Sequence, residues 1–168
     1  PFESTMERVA TLVRDLRDDG HRIQYLDAGG GLGIDYESSE GEPFEVQAIA
    51  YARAISAPLR KLKVHLLLEP GRSIVGPAGV LLTRVLYRKT NHGKKFLIVD
   101  AAMTDLLRPA LYGAHHAIVP VAPHSDAQPD ETVDIVGPVC ETGDFLARDR
   151  RLPPIQQDEL LAVLDVGA

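Results

Sequence analysis

Three consecutive glycines, Gly29, Gly30 and Gly31, follow a short apolar run at residues 23–26. Glycines lose much conformational entropy on folding, so such a run is expected where the backbone needs positive φ or a close approach. Exposed backbone N–H groups at the end of a strand can bind a phosphate. The spacing does not fit the G-x-G-x-x-G dinucleotide pattern, because the third glycine is missing. It does not fit the P-loop either, because no Gly-Lys pair follows. Two interpretations of this glycine loop (residues 29–31) therefore stand: a phosphate site, or a tight turn without a ligand.

A second loop of chemical interest, Glu69-Pro70-Gly71-Arg72, ends another apolar run at residues 63–68. Neighbouring parallel strands end at the same edge of a sheet, where ligands of α/β proteins bind. This Glu-Arg loop (residues 69–72) is therefore expected to face the glycine loop. Arg72 offers a cation with bidentate geometry, and a buried Glu69 would keep a basic ring nitrogen protonated. The alternative is a surface Glu–Arg pair beside a Pro-Gly turn.

Helices and strands that alternate along the first part of the chain are expected to position these loops. A capping box from Ser4 to Glu7 predicts the start of a first helix, and Gly20 predicts its end. A second helix is predicted over residues 43–59, with its buried face formed by Val46, Ile49, Ala50, Ala54 and Leu59. Strands are expected at residues 22–26 and 63–68. This order is typical of βαβ units in a parallel sheet.

The rest of the chain shows mostly strand signals. Strands are predicted at residues 80–89, 96–99, 117–121, 132–136 and 160–165. A helical piece over residues 103–107 is expected to stop at Pro109, and the Pro-, Asp- and Ser-rich run 120–130 is expected to be an exposed loop. We therefore predict an α/β part over residues 1–76 and a mostly β domain over residues 77–168.

Bulk composition argues against several classes of partner. The formal net charge of −6 argues against a broad nucleic-acid or anionic-membrane surface. No apolar run is long enough to cross a bilayer, and no export signal is present. The lone Cys140 cannot form an internal disulfide, which fits a reducing cytoplasm.

Because residue 1 is proline and the last residues resemble an interrupted strand, we expect an excerpt of a longer chain.

Four ordered motifs make the pattern specific. They are Leu-Asp-Ala-Gly-Gly-Gly at residues 26–31, Glu-Pro-Gly-Arg at 69–72, Arg-Pro-Ala-Leu-Tyr at 108–112 and Gly-Pro-Val-Cys-Glu-Thr-Gly-Asp at 137–144. Together they resemble the diaminopimelate decarboxylase family of fold-type III pyridoxal-phosphate (PLP) decarboxylases, across nearly the whole chain. The resemblance implies the last strands and helices of a TIM-like (β/α)8 barrel, followed by an incomplete, mostly β C-terminal domain.

The same resemblance implies how the two loops of the first part hold PLP. The backbone amides of the glycine loop would bind the cofactor phosphate, and Glu69 would pair with the pyridine nitrogen. Arg72 would lie at the phosphate and substrate end of the site. The cofactor-binding residues implied are Gly29, Gly30, Gly31, Glu69, Pro70, Gly71 and Arg72.

Substrate contacts are implied for the second part. Arg108 and Tyr112 would hold the distal carboxylate of an amino-acid substrate, although an Arg lying over a core Tyr is the simpler alternative. Cys140 would return a proton to the carbon that has lost CO2, whereas a lone cysteine is more often an inert small hydrophobe. Glu141 would recognise the distal amino group, and the Cys140–Glu141 loop would reach the partner's site in a homodimer.

The function implied is PLP-dependent decarboxylation of meso-2,6-diaminopimelate to L-lysine and CO2 in the cytoplasm. Related ornithine enzymes carry Asp after the cysteine, so Glu141 favours diaminopimelate. The alternatives are a sibling decarboxylase acting on ornithine, arginine or carboxynorspermidine, and a non-catalytic binding protein on the same scaffold. His115 and His116 are interpreted as structural, and no residue grouping indicates a metal site.

No lysine in this chain suits covalent attachment of the cofactor. Lys63 opens its predicted strand while Glu69 closes it, so the two are expected to lie roughly 20 Å apart. The resemblance implies that the required lysine lies upstream of Pro1. We therefore expect these 168 residues to be unable to catalyse decarboxylation alone.

Overall fold

The computed structural model describes residues 2–36, 42–123 and 129–168. The chain divides into two compact units, Pro1–Ile74 and Val75–Ala168. The first contains helices and a small parallel sheet, and the second is mostly β. The predicted mixed α/β character is confirmed. No helix in the described residues is both long and apolar enough to cross a bilayer.

The first unit consists of α1 (Phe2–Asp18), β1 (Tyr25–Asp27), α2 (Phe44–Ser56) and β2 (His65–Leu67), with a 3-10 turn at Ala57–Leu59. Helix α1 packs against α2, and β1 pairs in parallel with β2. Helix α3 (Gly71–Val75) and a 3-10 turn, Gly76–Ala78, follow β2. The core of this unit contains Met6, Ala10, Val13, Leu26, Ile55, Leu59 and Leu62.

Two details of these helices differ from the predictions. Helix α1 already includes Phe2, so Ser4 lies inside its first turn and is not the N-cap. Gly20 follows the helix with φ of +92°, as its predicted end requires.

The predicted buried face of α2 is wrong for three of its residues. Ala50 is exposed, and Val46 and Ile49 are 44% and 52% exposed, whereas Ile55 is buried. Apolar residues occur on more than one side of this helix, so its periodicity did not decide which side packs on α1.

The second unit is built on a six-stranded sheet in the order β5-β8-β3-β4-β6-β7. Its strands are β3 (Val80–Asn91), β4 (Lys94–Val99), β5 (Ile118–Pro120), β6 (Glu131–Val136), β7 (Phe145–Leu152) and β8 (Leu160–Leu164). Strand β3 pairs antiparallel with β4 and β8, and β4 pairs in parallel with β6. Residues such as Val85, Val99, Ile135, Leu161 and Val163 are fully buried in its core.

Two local predictions for this unit need correction or restriction, and one strand was missed. Within the expected helix over residues 103–107, residues 103–105 form a turn and 106–107 no regular element. Helix α4 (Arg108–Tyr112) begins where Pro109 was expected to stop one. Proline is well suited to the first helical turn because its missing N–H has no helical partner there. Strand β7 was not predicted; it lies at a sheet edge and is rich in charged residues. In the predicted loop 120–130, residues 121–123 and 129–130 are exposed, and 124–128 lie outside the described residues.

Candidate functional site

The glycine loop and the Glu-Arg loop leave the same edge of the β1–β2 pair. The two strands run parallel, with Tyr25 opposite His65 and Asp27 opposite Leu67. The pairing continues into the loops, because the Ala28 N–H donates to the Leu67 carbonyl at 3.0 Å. The Glu69 N–H likewise donates to the Gly29 carbonyl at 2.8 Å. The prediction that the two loops meet at one edge is confirmed.

Glycine is required where the loops cross. A Cβ added to Gly30 would lie 2.7 Å from the Glu69 carbonyl oxygen, closer than real Cβ contacts. Gly29 and Gly31 have φ of +67° and +104°, the left-handed region that favours glycine. The three residues therefore serve two different needs, close approach at Gly30 and positive φ at its neighbours.

The amides of the glycine loop are not equivalent. The Gly29 N–H donates to Asp27 Oδ1 at 2.8 Å, an Asx turn that is a signal readable from the Asp-Ala-Gly sequence. In the part of the chain that the structure describes, no acceptor is found for the N–H of Gly30 or Gly31. These two amides are the donors that remain for an anion.

A tyrosine that the sequence did not single out supports this loop. The Tyr51 hydroxyl, on α2, donates to the Gly30 carbonyl at 2.7 Å. Its ring contacts Phe2 edge-to-face at 5.0 Å. Tyr51 therefore holds the carbonyl of the peptide that joins Gly30 to Gly31.

The Glu-Arg loop presents two exposed charged side chains, Glu69 and Arg72. The expectation of a buried Glu69 is not met in this chain. Among the described residues no salt bridge joins Glu69 to Arg72, so the alternative of a surface ion pair is not supported. The Gly71 N–H donates to the Glu69 carbonyl at 2.8 Å and begins α3.

Lysines of the first unit lie at the other end of β2. Lys61 and Lys63 both precede this strand, whereas Glu69 follows it. The predicted order along the chain, with Lys63 before Glu69, is confirmed. Lys63 itself has φ of +51° and lies outside the strand that it was expected to open. Neither lysine is at the edge where the loops meet.

In the second unit, α4 carries Arg108 and Tyr112 four residues apart. Gly113 ends the helix with φ of +61°, and its N–H donates to the Pro109 carbonyl at 3.0 Å. Tyr112 is 73% exposed, so the alternative of an arginine lying over a core tyrosine is wrong. Arg108 is half-buried and lies 3.1 Å from the fully buried His116 through its Nη1 atom.

The Cys140–Glu141 segment lies in the loop that joins β6 to β7. Cys140 is a free, exposed thiol. The Glu141 carboxylate accepts hydrogen bonds from the Thr142 hydroxyl at 3.0 Å and the Thr142 N–H at 2.8 Å. These bonds, with a backbone bond from Gly143, lower the pKa of Glu141 below its usual value. The side chain is therefore held as an anion, suited to an ammonium group.

Asp144 is a buried residue that holds this loop through hydrogen bonds. It is 4% exposed, and its two carboxylate oxygens accept from the Met103 N–H at 2.6 Å and the Val139 N–H at 2.7 Å. A Cβ at Gly137 would lie 2.3 Å from Asp144 Oδ2, so only glycine leaves room for the carboxylate. One buried side chain thus ties the loop 137–144 to the turn that precedes α4.

The family described as "Pyridoxal-dependent decarboxylase, C-terminal sheet domain" matches residues 11–167. The chain belongs to this family. A diaminopimelate decarboxylase from Pseudomonas aeruginosa is 51% identical over 168 residues, which cover 100% of this chain and 39% of that protein. One from Aquifex aeolicus is 45% identical with the same coverage.

Solved structures of this decarboxylase family are also similar to this chain. The crystal structure of diaminopimelate decarboxylase from Helicobacter pylori complexed with L-lysine has a TM-score of 0.86 to this chain at 39% identity. The match covers 100% of this chain and 40% of the Helicobacter pylori chain. The chain thus spans about two fifths of the length of the relatives it matches.

Replacing Asp144 by Asn should loosen the loop of this decarboxylase-family chain. An amide offers one acceptor oxygen where the carboxylate offers two, so the N–H of either Met103 or Val139 would lose its partner. We expect the local stability around the loop to fall by about 1–3 kcal/mol. Faster hydrogen exchange at the amides of Met103 and Val139 would measure this. The control Asp158→Asn changes an exposed residue with φ of +70°, which asparagine tolerates. Equal exchange in both variants would contradict the role of Asp144.

Proposed function

We propose that this chain is part of an enzyme that uses PLP to decarboxylate meso-2,6-diaminopimelate to L-lysine and CO2. The observation that carries the proposal is the hydrogen-bonded meeting of the glycine loop and the Glu-Arg loop at one sheet edge. Relatives named diaminopimelate decarboxylase, 45% and 51% identical over the whole chain, support the same reaction.

The residues present suit PLP at this edge. The N–H groups of Gly30 and Gly31 are proposed to bind the phosphate, with Arg72 nearby as a cation. Gly29 acts through its positive φ, because its own N–H donates to Asp27. Glu69 would hold a proton on the ring nitrogen, with Pro70 and Gly71 setting the turn. When bound, PLP supplies the electron sink for the carbanion left by loss of CO2.

The first unit is proposed to be the last part of a TIM-like (β/α)8 barrel, over residues 1–76, and residues 77–168 a C-terminal β-domain. Two strands with exposed apolar side chains make a poor independent sheet. Tyr25 is 63% exposed and Leu67 47% exposed, which supports their burial by further strands of a complete barrel. The lysine that attaches PLP covalently would belong to that remainder, because Lys61 and Lys63 precede β2.

Side chains of the second unit are proposed to select and protonate the substrate. Arg108 and Tyr112 would hold the distal carboxylate, and the anionic Glu141 would hold the distal ammonium group. Cys140 would transfer its thiol proton to the carbon from which CO2 has left. An exposed thiol and an exposed carboxylate on a loop braced by Asp144 suit delivery to the partner's site in a homodimer. A free exposed thiol also suits a cytoplasmic location.

The substrate is tested by CO2 release from the full-length, PLP-loaded protein with labelled diaminopimelate, ornithine, arginine and carboxynorspermidine. We expect release from diaminopimelate above the others.

Glu141→Asp withdraws the carboxylate by one methylene, so kcat/KM for diaminopimelate should fall about tenfold or more. Glu45→Asp, on the exposed first turn of α2, is the matched control. Unchanged preference in Glu141→Asp would exclude Glu141 as the selector, and release from another substrate alone would exclude the proposed reaction.

Cofactor binding is tested by Gly30→Ala. The added Cβ would meet the Glu69 carbonyl at 2.7 Å and push the two loops apart. We expect the dissociation constant for PLP, titrated into the apo full-length protein by absorbance, to rise about tenfold or more. Gly33→Ala is the control, since its Cβ would meet nothing within 4 Å. Equal PLP affinity in both variants would contradict the assignment of the loop.

The proton donor is tested by Cys140→Ala. Loss of a positioned acid in the transition state should lower kcat by about 10²–10⁴-fold, with PLP affinity unchanged because the thiol is not needed to bind the cofactor. The ratio of kcat in ordinary and deuterated water also reports whether protonation at the reacting carbon limits turnover. Full turnover in this variant would rule out Cys140 as the donor.

A further inference from the structure

Beneath α4 lies a histidine that the sequence suggested was only structural. His116 is fully buried, and both ring nitrogens have a close polar neighbour. Its Nδ1 lies 3.0 Å from the carbonyl oxygen of Leu164, at the end of β8. Its Nε2 lies 3.1 Å from Nη1 of Arg108, at the start of α4. The ring therefore bridges a strand end and the arginine proposed to bind substrate.

The partners of His116 determine where its proton lies. An arginine side chain only donates hydrogen bonds, and a carbonyl only accepts them. Nε2 must therefore accept from Arg108, and Nδ1 must donate to Leu164. This is the neutral ring with its proton on Nδ1, because a protonated ring would turn an N–H toward a cation.

The surroundings favour the neutral form as well. Burial lowers the pKa of His116 below its usual value, and the charges of Arg108 and His115 lower it further. The bond to the Leu164 carbonyl and the charge of Asp165 act in the opposite direction without reversing the shift. The ring therefore keeps its acceptor for Arg108 at neutral pH.

We propose that His116 is a positioning residue that orients the Arg108 guanidinium to receive the distal carboxylate of the substrate. The inference rests on the proposed function, in which Arg108 binds that carboxylate. Arginine binds carboxylates best when its planar fork is held in one orientation, and its flexible side chain otherwise loses entropy on binding. A rigid acceptor at Nη1 of the guanidinium reduces that loss. The neutral ring also adds no second positive charge beside Arg108.

Two substitutions separate positioning from packing. In His116→Asn, the side-chain amide can still donate to Leu164 but offers no acceptor at the place of Nε2. In His116→Gln, the longer side chain brings an amide oxygen to that place and can accept from Arg108. A purely structural histidine would make the two variants differ mainly in stability.

The experiment uses the full-length, PLP-loaded protein and measures kcat, KM for diaminopimelate and the dissociation constant of pimelate, a dicarboxylate of the same chain length. For His116→Asn we expect KM and the pimelate constant to rise about tenfold or more with kcat little changed, as for lost uniform binding. For His116→Gln we expect most of the affinity to be retained. Hexanoate, which lacks the second carboxylate, should bind all three proteins alike.

A separate measurement determines which ring nitrogen of His116 carries the proton. In ¹⁵N NMR of histidine-labelled wild-type protein at pH 6.5, where an unperturbed histidine is half protonated, His116 should show the neutral Nδ1–H form. An Nε2–H or charged ring, or equal pimelate affinity in the Asn and Gln variants, would overturn the proposal. If wild-type protein releases no CO2 from diaminopimelate, the proposed function fails, and the pimelate and NMR results still decide whether His116 positions Arg108.

Discussion

The candidate cofactor site depends on one close backbone crossing, in which the glycine loop and the Glu-Arg loop exchange a hydrogen bond. Parallel pairing of β1 and β2 brings the two loops to the same edge, and the Glu69 N–H then donates to the Gly29 carbonyl. This approach leaves no room for a Cβ at Gly30. The N–H of Gly30 has no acceptor among the described residues, so it remains available as a donor.

The second unit uses buried polar groups to hold less buried residues, both in the loop 137–144 and at the start of α4. Asp144 supplies a buried carboxylate that accepts from two backbone N–H groups. His116 supplies a neutral acceptor for Arg108. In both cases a buried polar group with defined partners orients a residue that is itself more exposed. Loops of this kind have few apolar contacts, so hydrogen bonds must provide most of their order.

Sequence reasoning was most successful where a residue type has only one good structural use. Gly20 and the glycine loop were correctly expected at positions of positive φ or close approach, and alternating apolar residues located most strands. It failed where the same pattern suits two outcomes. Pro109 was expected to end a helix and begins one, since proline is compatible with a first turn. The apolar residues of α2 did not reveal which side would be buried, and edge strand β7 lacks the alternation of a half-buried strand.

The sequence by itself determined the identity and order of the candidate site residues, because four short motifs give their types and spacing directly. It also determined that Lys61 and Lys63 precede the strand that Glu69 follows. Only the tertiary structure decided how those groups are supported. The bonds from Tyr51 to Gly30, from Met103 to Asp144 and from Arg108 to His116 join residues on different elements. Such contacts depend on distances and directions between elements, which residue spacing along the chain does not encode.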